Sequence, residues 1–65
     1  MSERAQELMN AIWEARNSGN IETEEQLVSA ILTIAAEKVK FYNAQTGAIV
    51  LDKNDLLQFA EELNE

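Results

Sequence analysis

The 65-residue chain has no cysteine and no histidine, only two glycines, and five cationic side chains against twelve acidic ones. Without cysteine no disulfide can staple the fold, and without cysteine or histidine the usual nitrogen and sulfur ligands of zinc are missing. The same absences remove the thiolate nucleophile and the commonest general base. Neither a Ser-His-Asp nor a Cys-His arrangement can be assembled from this chain alone. Ser2, Ser18 and Ser29 each have a plainer role, as a cap, in a turn and on a polar helix strip. Gly19 and Gly47 stand apart, so there is no phosphate-cradling loop. No metal, cofactor or enzymatic activity is expected.

Long apolar runs are also missing. No stretch approaches the roughly 18 residues of a membrane span, and no basic start leads into an apolar run with a cleavage site. The chain is therefore expected to be cytoplasmic. Its net charge is −7, and Arg4, Arg16, Lys38, Lys40 and Lys53 are scattered rather than gathered into a patch. Direct contact with nucleic acid needs a basic footprint, and anionic membrane surfaces need the same. Neither is expected as a partner.

The sequence that is present reads as one all-α domain, residues 1–65. It is a three-helix bundle with a short extended apolar connector before the last helix, and it is expected to be dimeric. The helices are placed at about 3–17, 24–43 and 53–63. Ser2 caps the first, and Ala5, Leu8, Met9, Ile12, Trp13 and Ala15 have the spacing of one apolar face. Gly19 suits a left-handed stop. Thr23-Glu24-Glu25-Gln26 is a capping-box pattern that opens the second helix, which is read as running to Asn43. Asp52 caps the third, whose apolar face is Leu56, Leu57, Phe59, Ala60 and Leu63. Glu61, Glu62 and Glu65 oppose the dipole at its end, which is expected to fray.

Ala48-Ile49-Val50-Leu51 reads as extended backbone. No second strand is evident, so the segment is taken as an unpaired apolar tether, with pairing to its own copy across a twofold axis as the alternative. Asp52-Lys53-Asn54-Asp55 resembles the start of a calcium loop, but Leu56, Leu57 and Leu63 fall where ligands and the turn glycine belong. Glu24/Glu25 and Glu61/Glu62 are adjacent on helices and diverge by about 100°, so neither pair converges on a point.

The second helix, read over 23–43, carries an apolar arc of roughly 200°, formed by Leu27, Val28, Ala30, Ile31, Leu32, Ile34, Ala35, Val39, Phe41 and Tyr42. A chain this short has too little else to cover it. A twofold dimer with this helix at the interface follows. Arg16 and Lys38 interrupt the apolar arcs of their helices. Each can lay its stem on apolar surface, pair with Asp52, Asp55 or Glu62, or meet a partner's carboxylate. Met9 and Trp13 belong to the core rim or to a binding surface, and Phe41 and Tyr42 are read as a lid on the core.

The expected function is a non-enzymatic protein-interaction or regulatory module that acts through helix faces as a homodimer. Its interface candidates are Met9, Trp13, Arg16, Leu27, Ile31, Ile34, Lys38 and Phe41. The expected partners are a second copy or another protein. The alternative is an acidic inhibitor that mimics nucleic acid and occupies a basic site on its target.

Overall fold

The computed structural model describes residues Met1 to Glu65. The chain forms three helices, α1 (Glu3–Asn17), α2 (Glu24–Lys38) and α3 (Lys53–Leu63), and a hairpin of β1 (Phe41–Asn43) and β2 (Ile49–Leu51) placed between α2 and α3 in the chain. The protein is mostly helical but carries a small antiparallel sheet. No helix is long and apolar enough to cross a membrane.

The helix ends follow local chemistry. The Ser2 side chain accepts from the Ala5 N–H and caps α1. At the other end, the Gly19 N–H donates to the Arg16 carbonyl and the Asn20 N–H to the Ala15 carbonyl, with Gly19 at φ 80°. This is the Schellman pattern, which needs a left-handed residue and finds glycine there. The Thr23 side chain accepts from the Gln26 N–H, and the Gln26 side chain returns the bond to the Thr23 N–H, completing the capping box. Asp52 accepts from the N–H groups of Asn54 and Asp55 to cap α3.

The second helix is five residues shorter than the sequence spacing predicts. It stops at Lys38, and Val39 turns to extended backbone at φ −102°, ψ 146°. Two causes combine. Val39, Phe41 and Tyr42 are β-branched or aromatic and favour strand backbone. In addition, the Lys40 N–H donates to Asp55 at 2.8 Å while the Lys40 carbonyl accepts from the Asp52 N–H at 2.9 Å, so tertiary partners replace the next helical bonds. The segment after Gly47 is therefore not an unpaired tether. It has a strand partner within the chain, in the register Phe41↔Leu51, Tyr42↔Val50 and Asn43↔Ile49. Ala44 bonds to both Gly47 and Ala48, and Gly47 takes φ 84°, as the left-handed position of a short hairpin loop requires.

Helix α1 packs against α2 on one side and α3 on the other. The core is one row of α1 (Ala5, Leu8 and Ile12), closed by Val39 and by Phe59 of α3; Leu27, Ala30, Ile31, Ile34 and Leu63 pack against it. Only these five residues are fully buried, none of them in α2. The body is flat, 40 × 27 × 15 Å, with a radius of gyration of 13.3 Å. A compact chain of this length would have about 10.7 Å. The accessible surface is 5040 Å², roughly 900 Å² more than a compact monomer of this mass exposes.

Candidate functional site

Met9, Trp13 and Arg16 lie at i, i+4 and i+7 on α1, beside the row that fills the core. Leu27 and Ile31 lie one turn apart on α2 and face them. Met9, Ile12, Arg16, Leu27 and Ile31, together with Leu63 at the end of α3, line an apolar groove of about 200 Å³, with buried Leu8 at its base. Arg16 is its only polar lining residue. A second depression, about 260 Å³, adjoins it across the Met9–Trp13–Arg16 ridge. Trp13, the only tryptophan, stands 68% exposed on that ridge rather than in the core.

The structure thus gathers four of the expected interface residues, Met9, Arg16, Leu27 and Ile31, around one groove, with Trp13 on its rim. The other three lie elsewhere. Ile34 packs against the core. Lys38 pairs with Glu7 at 2.7 Å, not with Asp52, Asp55 or Glu62. Phe41 is in the hairpin and is exposed, as is Tyr42, so neither forms a lid. Arg16 makes no ion pair with any of the three acids of the third helix considered for it. On α3, Phe59 is buried and Leu63 packs on the core, whereas Leu56 and Leu57 face outwards.

The cation that does meet the third helix is Arg4, which the sequence reading passed over. Its guanidinium donates to both oxygens of Glu62, to both oxygens of Asp55 and to the Lys38 carbonyl. It also lies over the Phe59 ring, 4.8 Å from the centroid, a favourable cation–π position. These bonds hold the Arg4 guanidinium charged. They hold Glu62 well below the usual carboxylate range, at about 2, with the Ser2 hydroxyl adding a further bond at 2.6 Å. Asp55 is lowered as well, first by Arg4 and then by the Lys40 N–H. Glu62 is therefore anchored near the end of α3, which runs to Leu63. The signal was legible: Arg4, Leu8 and Ile12 are spaced by four, so Arg4 extends the buried row of α1.

Two further apolar surfaces are open. On the outer side of α2, Val28 and Leu32 are exposed along a shallow depression that includes Glu24, Glu25, Ser29 and Thr33. On the hairpin, Phe41, Tyr42, Ile49, Val50 and Leu51 are all exposed. The groove offers apolar contact and, at Arg16, one guanidinium. No protein-family model, curated protein or solved structure matches the chain.

Proposed function

We propose that the chain is a small non-enzymatic protein-interaction module that works as a homodimer and receives an amphipathic helix of another protein along α1 and α2. The groove between Met9, Ile12, Arg16, Leu27, Ile31 and Leu63 carries this reading. An apolar trough with a guanidinium at its edge suits a helix that presents apolar residues at i and i+4 and a carboxylate beside them. An exposed Trp at the rim, next to a flexible Met, is the composition of a binding edge. The dimer is supported by an accessible surface larger than a compact monomer needs. The cysteine-free composition suits a cytoplasmic setting. Mimicry of nucleic acid has less support, because Asp55, Glu62 and Glu7 are engaged by the chain's own cations.

The test is selection of helical peptides from a displayed random library against the whole protein, read out by fluorescence of the single tryptophan. The expected peptides share apolar residues at i and i+4 with an acidic neighbour, and lose at least tenfold in affinity against Met9→Asp and Arg16→Glu. Both positions are exposed, so both variants are expected to keep the fold, which circular dichroism checks. Peptides that bind both variants as well as the parent protein would overturn the groove.

A further inference from the structure

We infer that the dimer forms by edge-to-edge pairing of β2 with β2 of a second copy, joining two hairpins into one four-stranded antiparallel sheet. This deepens the homodimer reading above and is independent of the groove. A two-stranded hairpin is marginal alone, and a sheet with one face in water is normally polar on that face. This hairpin is mostly apolar on both. Phe41, Ile49 and Leu51 share one face with Asn43, Tyr42 and Val50 lie on the other, and the five apolar and aromatic side chains are all exposed.

The edge is unpaired in a definite way. The Asp52 N–H bonds to the Lys40 carbonyl and the Ala44 N–H to the Ala48 carbonyl. Lys40–Asp52, Tyr42–Val50 and Ala44–Ala48 are then the hydrogen-bonded pairs of the ladder, because such pairs alternate along antiparallel strands. The backbone groups of Ile49 and Leu51 consequently point away from β1. A twofold axis through Val50 sets Ile49 opposite Leu51 of the second copy and Val50 opposite itself. Ile49 and Leu51 of each copy then exchange both backbone bonds with their counterparts, and every cross-strand pair is apolar.

Pairing through β1 is less complementary, since it would set Phe41 against Asn43. Charge favours the hairpin as the meeting point. The chain carries −7, yet Phe41 to Leu51 contains no charged residue, so two copies meet there with least repulsion.

Because the chain has no cysteine, single-cysteine variants report the pairing cleanly. Val50→Cys sits on the axis in a close non-hydrogen-bonded pair, within reach of its own copy. Tyr42→Cys lies one strand away. Under mild oxidation at micromolar concentration, Val50→Cys is expected to form a linked dimer at least tenfold faster than Tyr42→Cys. In light scattering, the parent protein is expected to be a dimer. Val50→Lys and Val50→Glu are each expected to be monomers that form a mixed dimer when combined. A parent protein that stays monomeric overturns both the pairing and the homodimer. A dimer that survives Val50→Lys, or equal linking rates for the two cysteine variants, overturns the pairing and leaves the homodimer standing. Met9→Asp, which tests the groove, is expected to leave the dimer intact.

Discussion

Arg4 and Glu62 are 58 positions apart and meet as fork to fork: Nε donates to Oε1 and Nη2 to Oε2, each at 2.8 Å. Planar pairing of this kind fixes direction as well as distance. Because the same guanidinium also bonds to Asp55 and to the last carbonyl of α2 and covers Phe59, it ties the start of α1 to both ends of α3 and to the point where α2 stops. In a fold with five fully buried residues, a single polar junction of this reach has an outsized share in setting the helix arrangement.

The pH dependence of stability follows from the direction of these shifts. Glu62 titrates at about 2 in the folded protein against an ordinary 4.5, and Asp55 is also lowered, from 3.8. The unfolded chain therefore binds protons first as the pH drops. The stabilisation is complete above about pH 4.5 and is lost progressively as pH falls towards 2. Urea midpoints are expected to be flat from pH 7 to 5 and to fall below that. Glu62→Gln should lower the neutral-pH midpoint and flatten the acid slope. An unchanged slope in that variant would remove Glu62 from the acid response.

Replacing Arg4 by lysine keeps the charge and loses the fork. An ammonium cannot hold both oxygens of Glu62 while also bonding to Asp55 and lying flat over Phe59. Arg4→Lys is expected to melt at a lower temperature than the parent, and Arg4→Met to melt lower still at neutral pH. The gap between the two variants should narrow from neutral pH to pH 2, where the carboxylates begin to take up protons in the folded protein. Thermal melts followed by circular dichroism at both pH values check this.

Phe59 is 1% exposed and is the largest side chain fully inside the core. Truncating it leaves a cavity beneath Arg4 and removes the ring from the cation, at a cost of about 3–5 kcal/mol. Small domains sit near the low end of a stability range of about 5–15 kcal/mol. Phe59→Ala is therefore expected to lose its cooperative melt near 37 °C. A variant that still melts cooperatively within a few degrees of the parent would mean that the core is closed by other contacts.

Helix positions were legible wherever caps and periodicity agreed. Both ends of α1 and the starts of α2 and α3 are written in Ser2, Gly19, Thr23 and Asp52. The end of α2 was misread because Val39, Phe41 and Tyr42 extend a helical apolar arc and also suit a strand; bonds from Lys40 to Asp52 and Asp55 decide the matter, and these are tertiary. With Phe41 to Asn43 read as helix, β2 has no partner, although Gly47 between two apolar runs is a hairpin signal. The groove was partly legible from Met9, Arg16, Leu27 and Ile31. Ile12 looked like plain core, and Leu63 joins only because α3 folds back onto α1.

Gly47 sits in the loop that joins β1 to β2. Its φ of 84° lies where an L side chain is strained, and an added Cβ would meet nothing within 4 Å. Any cost of Gly47→Ala is therefore backbone strain alone, of about 1–2 kcal/mol. The strands bond mainly to each other, while the buried residues of the core lie outside them, so the loss should stay local. Amide exchange at Tyr42 and Val50, whose N–H groups face each other across the ladder, is expected to quicken roughly fivefold to thirtyfold. The helical melt should shift little. Asn, which tolerates the left-handed region better than Ala, should quicken exchange less. If Gly47→Ala instead lowers the helical melt by as much as Phe59→Ala does, the hairpin and the helices unfold as one unit.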